Sequence, residues 1–202
     1  MKNVFSPDVN HKLRQRIVSI NYLPLRRYRI GITLYSNVPA GAYSVYFRKG
    51  SIGIKVVHGG LSTTRVGGSE SITTLRRSRV WKEAIKEYKI LKQVQPSGIT
   101  PIPFCVKPVR VGNVYFPAIF MEHIRGKSLC EFEYQAFTQP QRQTIKKLLE
   151  KCKKRLLKYG KINKDIGDSN IIVTAHDGDV MLAFKIIDFT PEWTRLCKRR
   201  HK

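Results

Sequence analysis

Asp165, Asn170 and Asp188 are the residues whose types and spacing could do chemistry. In Asn163-Lys164-Asp165-Ile166-Gly167-Asp168-Ser169-Asn170 an aspartate is followed five residues on by an asparagine, and the apolar run Ile171-Ile172-Val173 starts at once. A second apolar run, Ile186-Ile187, closes on Asp188-Phe189. A carboxylate placed like Asp165 can take or orient the proton of an attacking hydroxyl, given an approach of about 3 Å. The amide oxygen of Asn170 and the carboxylate of Asp188 are hard ligands of the kind a divalent ion takes when it neutralises phosphate charge. Each residue alone has an ordinary alternative, because Asp and Asn also cap turns and strand ends.

Such a site needs elements to position it. Gly41 to Phe47 and Ile52 to Val57 are two β-rich runs around a Lys-Gly turn, which predicts a hairpin. Lys55 lies in its second strand between apolar residues and either snorkels to solvent or meets a counter-charge. Residues 58–79, rich in Gly, Ser, Thr and Arg without periodicity, read as a loop. From about Val80 to Val94, the residues Trp81, Ala84, Ile85, Tyr88 and Leu91 form one apolar helical face. Glu87 sits at the border of that face, with Glu83 a competitor one turn earlier, and an ion pair from Lys55 to Glu87 within about 4 Å is expected. A second hairpin follows over 104–111 and 114–122. A helix over 144–159 carries the stripe Ile145, Leu148, Leu149, Cys152, Leu156 and Leu157, with lysines mostly elsewhere. Residues 1–37 read as a basic extension whose last part, to Leu34, alternates like a strand.

The chain has 202 residues, enough for one core or two small lobes. Its 38 Lys and Arg against 14 Asp and Glu leave a net charge of +24, which favours anionic partners: an acidic protein, an anionic membrane surface or nucleic acid. A solvated basic surface is the plain alternative. No apolar run reaches the ~20 residues of a membrane span, although peripheral membrane contact is compatible with the charge. Four dispersed cysteines and an N-terminus without a secretory pattern predict reduced thiols and a cytoplasmic location.

Taken together, these residues resemble the protein-kinase-like superfamily over roughly residues 38–193. Lys55, in Gly-Ile-Lys-Val, is similar to the strand lysine that holds nucleotide phosphates, and Glu87 to the helix glutamate that pairs with it. Ile119-Phe120-Met121-Glu122-His123-Ile124-Arg125-Gly126 looks like the hinge, where Met121, Glu122 and Ile124 would contact adenine. Asp165 and Asn170 match the catalytic loop, and Asp188 the metal-binding aspartate. The glycine-rich loop retains only Gly41, Asn163-Lys164 replaces the usual His-Arg, Thr190 follows Phe189, and 12 residues follow Thr190. The chain is thus similar to minimal, atypical bacterial kinases, the short YrbL-like family among them.

The resemblance implies an α+β, two-lobed kinase-like fold. Its N-lobe and hinge (38–124) would carry a five-stranded antiparallel sheet and one helix, and residues 125–202 a truncated helical C-lobe with a basic tail. It also implies ATP and magnesium as cofactors, and a phosphotransferase acting on a protein Ser or Thr or on a sugar or lipopolysaccharide hydroxyl. Lys55, Glu87 and Asp165 would be catalytic, Gly41, Lys55, Met121, Glu122 and Ile124 would bind nucleotide, and Asn170 and Asp188 would bind metal. The competing reading is a non-catalytic module that uses the scaffold and its basic surface to hold an acidic macromolecule.

Overall fold

The computed structural model describes residues 4–23, 44–57, 61–66, 69–74, 77–111, 114–131, 138–159, 161–163, 170–175, 183–187 and 194–196. Gly41, Asp165, Asp188, the strand expected near Leu34 and the basic tail beyond Leu196 lie outside them. In chain order the elements are β1 (Val4–Phe5), α1 (His11–Ser19), β2 (Tyr22–Leu23), β3 (Ser44–Lys49), β4 (Ile52–Val57), β5 (Leu61–Val66), β6 (Ser69–Thr74), α2 (Arg77–Val94), β7 (Pro103–Val111), β8 (Val114–Glu122), β9 (Lys127–Ser128), α3 (Gln139–Leu157), β10 (Lys161–Asn163), β11 (Ile171–Ala175), β12 (Ala183–Ile186) and β13 (Thr194–Leu196). They fall into two units, Met1–Tyr88 with Pro103–His123, and Lys89–Ile102 with Ile124–Lys202.

In the first unit the two expected hairpins join into one sheet, ordered β7-β8-β4-β3. β4 lies between β3 and β8 and is buried at all six positions. The sheet is mixed rather than wholly antiparallel. β1 pairs antiparallel with β7 at Val106 and Cys105, whereas β2 pairs parallel with β7 at Arg110 and Val111. The intervening helix α1 returns the chain, so the two short strands run oppositely along one edge. Between their pairings lies Pro108, which has no N–H to offer an edge partner. Pro117, opposite it, is one residue beyond the last β4–β8 pair, Val56 with Ala118.

Residues 4–23, expected as part of a basic extension, are therefore built into the sheet. The side chain of Asn10 caps α1 by accepting from Leu13 N–H at 2.9 Å. Ile17, Ile20 and Leu23 are buried with Ile54, Val56, Cys105, Val109, Ala118 and Phe120. The region 58–79, expected as a loop, contains the antiparallel pair β5–β6. The sequences Leu-Ser-Thr-Thr-Arg-Val and Ser-Glu-Ser-Ile-Thr-Thr carry no alternating apolar period, which is why the pattern did not reveal them.

Among its described residues the second unit is less helical than expected. Its described residues hold the end of α2, the single long helix α3, a three-stranded sheet ordered β12-β11-β9, and the pair β10–β13. α3 starts five residues before the expected Thr144, because Thr138 N–H donates to Gln141 Oε1 at 2.8 Å and Pro140 sits in the first turn. Ile145, Leu148 and Leu149 pack with Leu129, Ile171, Val173 and Phe184. Gly126 passes so close to β11 that an added Cβ would strike the Val173 carbonyl oxygen.

Candidate functional site

Lys55 is carried into the interior by the strand that surrounds it. Its cross-strand neighbours are Tyr46 on β3 and Ile119 on β8, so all three side chains share one face of the sheet. Only 8 % of Lys55 is exposed, and an ammonium that far from water needs polar partners close by. Glu87, exposed by 3 %, supplies one from α2, with Nζ donating to Oε1 at 2.7 Å. Glu83, half-buried, instead meets the exposed Lys86 at 3.1 Å. The two carboxylates, four residues apart, lie on one side of α2 a turn from each other, and it is Glu87 that is buried with Ala84, Tyr88 and Leu91.

The same face continues toward the end of β8. Gly53 and its cross-strand partner Met121 lie on it, whereas the next pair, Ile52 and Glu122, alternates to the opposite face. Met121 is buried and Glu122 half-buried, and His123 N–H donates to the Ser51 carbonyl at 2.9 Å. Tyr46 and His123 are additions that pattern reading missed. The Tyr46 hydroxyl is hydrogen-bonded to His123 Nδ1 at 3.0 Å, across 77 residues of sequence. The Tyr46 ring lies against Gly53, where a Cβ would collide with its hydroxyl. Burial pushes the Tyr46 phenol up to about 12, against a smaller lowering by Arg48, so it stays protonated at neutral pH. The signal available in sequence was the glycine two residues before Lys55 in an otherwise apolar strand, which marks a close approach.

In the second unit, antiparallel pairing of Ile171 with Ile186 places Asn170 opposite Ile187. Ile187 N–H donates to the Asn170 carbonyl at 2.9 Å. The asparagine of the first motif is thus tied to the residue that precedes Asp188 in the chain. Ile124, the first residue of this unit after β8, is half-buried. The structure brings Lys55 to Glu87, and Asn170 to the strand end at Ile187. Asp165, Asp188 and Gly41 lie outside the described residues.

Chemically, the Lys55–Glu87 pair holds a cation at a defined place on a sheet face. The amide of Asn170 is a neutral oxygen donor of a type magnesium accepts, consistent with the pattern Asn170 and Asp188 make in sequence. Compared with known proteins, the chain matches no family model and no curated protein sequence.

Proposed function

We propose that the protein is an ATP- and magnesium-dependent phosphotransferase that moves a phosphoryl group to a hydroxyl of a protein or sugar acceptor. The buried Lys55–Glu87 pair, 2.7 Å across a strand and a helix, carries the reading. Burying both charges is costly, and apolar residues of similar size would pack as well or better, so stability alone gives little reason for the pair. A lysine held in one rotamer by a carboxylate is what a phosphate-binding cation requires.

In this reading Lys55 neutralises nucleotide phosphate and Glu87 orients it. Residues at the end of β8, Met121 and Glu122, together with Ile124, face the base. Asn170 and Asp188 supply oxygen ligands to magnesium, which when bound offsets phosphate charge. Asp165 accepts or orients the proton of the acceptor hydroxyl. Calorimetric titration with ATP, with and without magnesium, tests the proposal. Binding that depends on magnesium and is lost in Asp188→Asn is expected, with Asp165→Asn retaining binding but not turnover. Absence of ATP binding in either condition would overturn it and leave the scaffold as a binding module.

A further inference from the structure

The charge on α3 works against the helix that carries it. Between Gln139 and Leu157 there are seven Lys and Arg and one carboxylate, Glu150. Arg142 with Lys146, Lys147 with Lys151, and Lys151 with Arg155 are like charges one turn apart, as are Lys154 and Lys158 at the end, and each such pair destabilises a helix. Glu150 pairs with Lys153 at 3.0 Å in an exposed contact. Lys146, Lys147, Lys151, Lys154, Arg155 and Lys158 are all exposed. Four of them, with Gln143 and Glu150, border an open depression of about 460 Å³.

We propose that this face docks the phosphate backbone of a nucleic acid. The apolar stripe of α3 is already committed, with Ile145, Leu148 and Leu149 packed in the core of the second unit. A helix that lies on a membrane needs such a stripe free for insertion, and this one does not have it. Protein partners are gripped mainly by buried aromatic and apolar anchors, and the depression is bordered by Gln, Glu and Lys alone. A phosphate backbone asks for cations and little else, since its affinity comes from counterion release. Lys147, Lys151, Lys154 and Lys158 follow one another along the helix at rises of about 6, 4.5 and 6 Å, a regular cationic row. The proposal is independent of the nucleotide site, because none of these residues is placed there.

The test is fluorescence anisotropy of the full chain with a short labelled DNA duplex, between ~50 and ~200 mM salt. Four phosphate contacts predict that log K falls against log salt with a slope of about −4, at roughly −0.9 per contact. Lys147→Glu/Lys151→Glu/Lys154→Glu should weaken binding at least about tenfold at low salt and flatten the slope toward about −1. If that variant does not fold, the triple Gln variant, which relieves like-charge repulsion, should show the same flattening. Phosphatidylserine vesicles and a polyglutamate peptide serve as competitors. No duplex binding by the wild type, a slope unchanged by either triple variant, or binding of vesicles or polyglutamate in preference to the duplex would each overturn the proposal.

Discussion

Lys55 and Lys107 lie in the same sheet, each among apolar neighbours, and the structure treats them in opposite ways. Lys55 shares a face with Ile119 and meets the carboxylate of Glu87. Lys107 pairs across to Ala118, so its side chain enters the other face, beneath α1. There Nζ donates to the carbonyls of Ile17 and Val18 at 2.9 and 3.1 Å and to Asn21 Oδ1 at 2.9 Å. It also lies 5.4 Å from the Phe120 ring centroid. An ammonium has three protons, and Lys107 has three oxygen acceptors for them. It is a structural cap on the last turn of α1, where the helix dipole favours a cation. Burial alone does not tell the two lysines apart: at 2 % exposure Lys107 is the more buried. The partners differ: a carboxylate neutralises the charge of Lys55, whereas Lys107 donates its three protons to neutral oxygens.

The largest effect should come from removing one half of the ion pair. Glu87→Leu leaves the Lys55 ammonium buried against an apolar side chain and should cost about 3–5 kcal/mol in urea denaturation. Lys55→Met/Glu87→Leu should recover most of that loss, since the pair as a whole contributes little to stability. A double variant as unstable as the single would erase the contrast, making Lys55 a structural residue like Lys107.

Lys107→Met should cost about 2–3 kcal/mol, by orphaning the carbonyls at the end of α1. Hydrogen exchange should speed up in α1 first, and the Lys55–Glu87 pair should remain. Burial pushes the Lys107 pKa below 10.5, with a smaller opposing effect from Cys105. Below the folded-state value both states bind the proton and the lysine adds no slope. Between that value and 10.5 the unfolded chain binds more protons, so the lysine's contribution to stability rises with pH. The wild type should therefore gain stability relative to Lys107→Met across that window, and a difference that shrinks would reverse the assigned cause.

A smaller effect, about 1–3 kcal/mol, is expected from Gly53→Ala, which forces a methyl group into the space of the Tyr46 hydroxyl. Adding Tyr46→Ala should relieve the clash while losing the contact with His123. Equal stability of Gly53→Ala and wild type would show that the ring moves freely off the face that carries Lys55.

Much of this could be read from residues alone. The turns at Gly50-Ser51 and Gly112-Asn113, flanked by β-rich runs, predicted both hairpins of the first sheet. The spacing of Ala84, Tyr88 and Leu91 predicted α2 with Glu87 at the border of its buried face, and left Glu83, one turn earlier, as a competitor. Other features were hidden for identifiable reasons. The strands β1 and β2 are two residues each, too short to show a period, and only pairing with β7 makes them strands. The strands β5 and β6 lack an alternating apolar face. Tyr46 and His123 are ordinary residues in their local sequence and become a pair only when β3 and β8 flank β4.

The sequence by itself determined the local elements, the order of Lys55, Glu87, Asp165, Asn170 and Asp188 along the chain, and the surplus of positive charge, because periodicity, turn chemistry and composition are properties of neighbouring residues. Tertiary structure decided which buried lysine faces a carboxylate and which caps a helix, and that the outer edge of β7 takes one antiparallel and one parallel strand. Lys55 and Glu87 are 32 residues apart, and Lys107 and Ile17 are 90 apart. Both lysines sit between apolar residues in strands with the same alternation. Nothing in the neighbouring residues separates them, and only the choice of sheet face, made when α1 and α2 pack on opposite sides, gives each cation its partner.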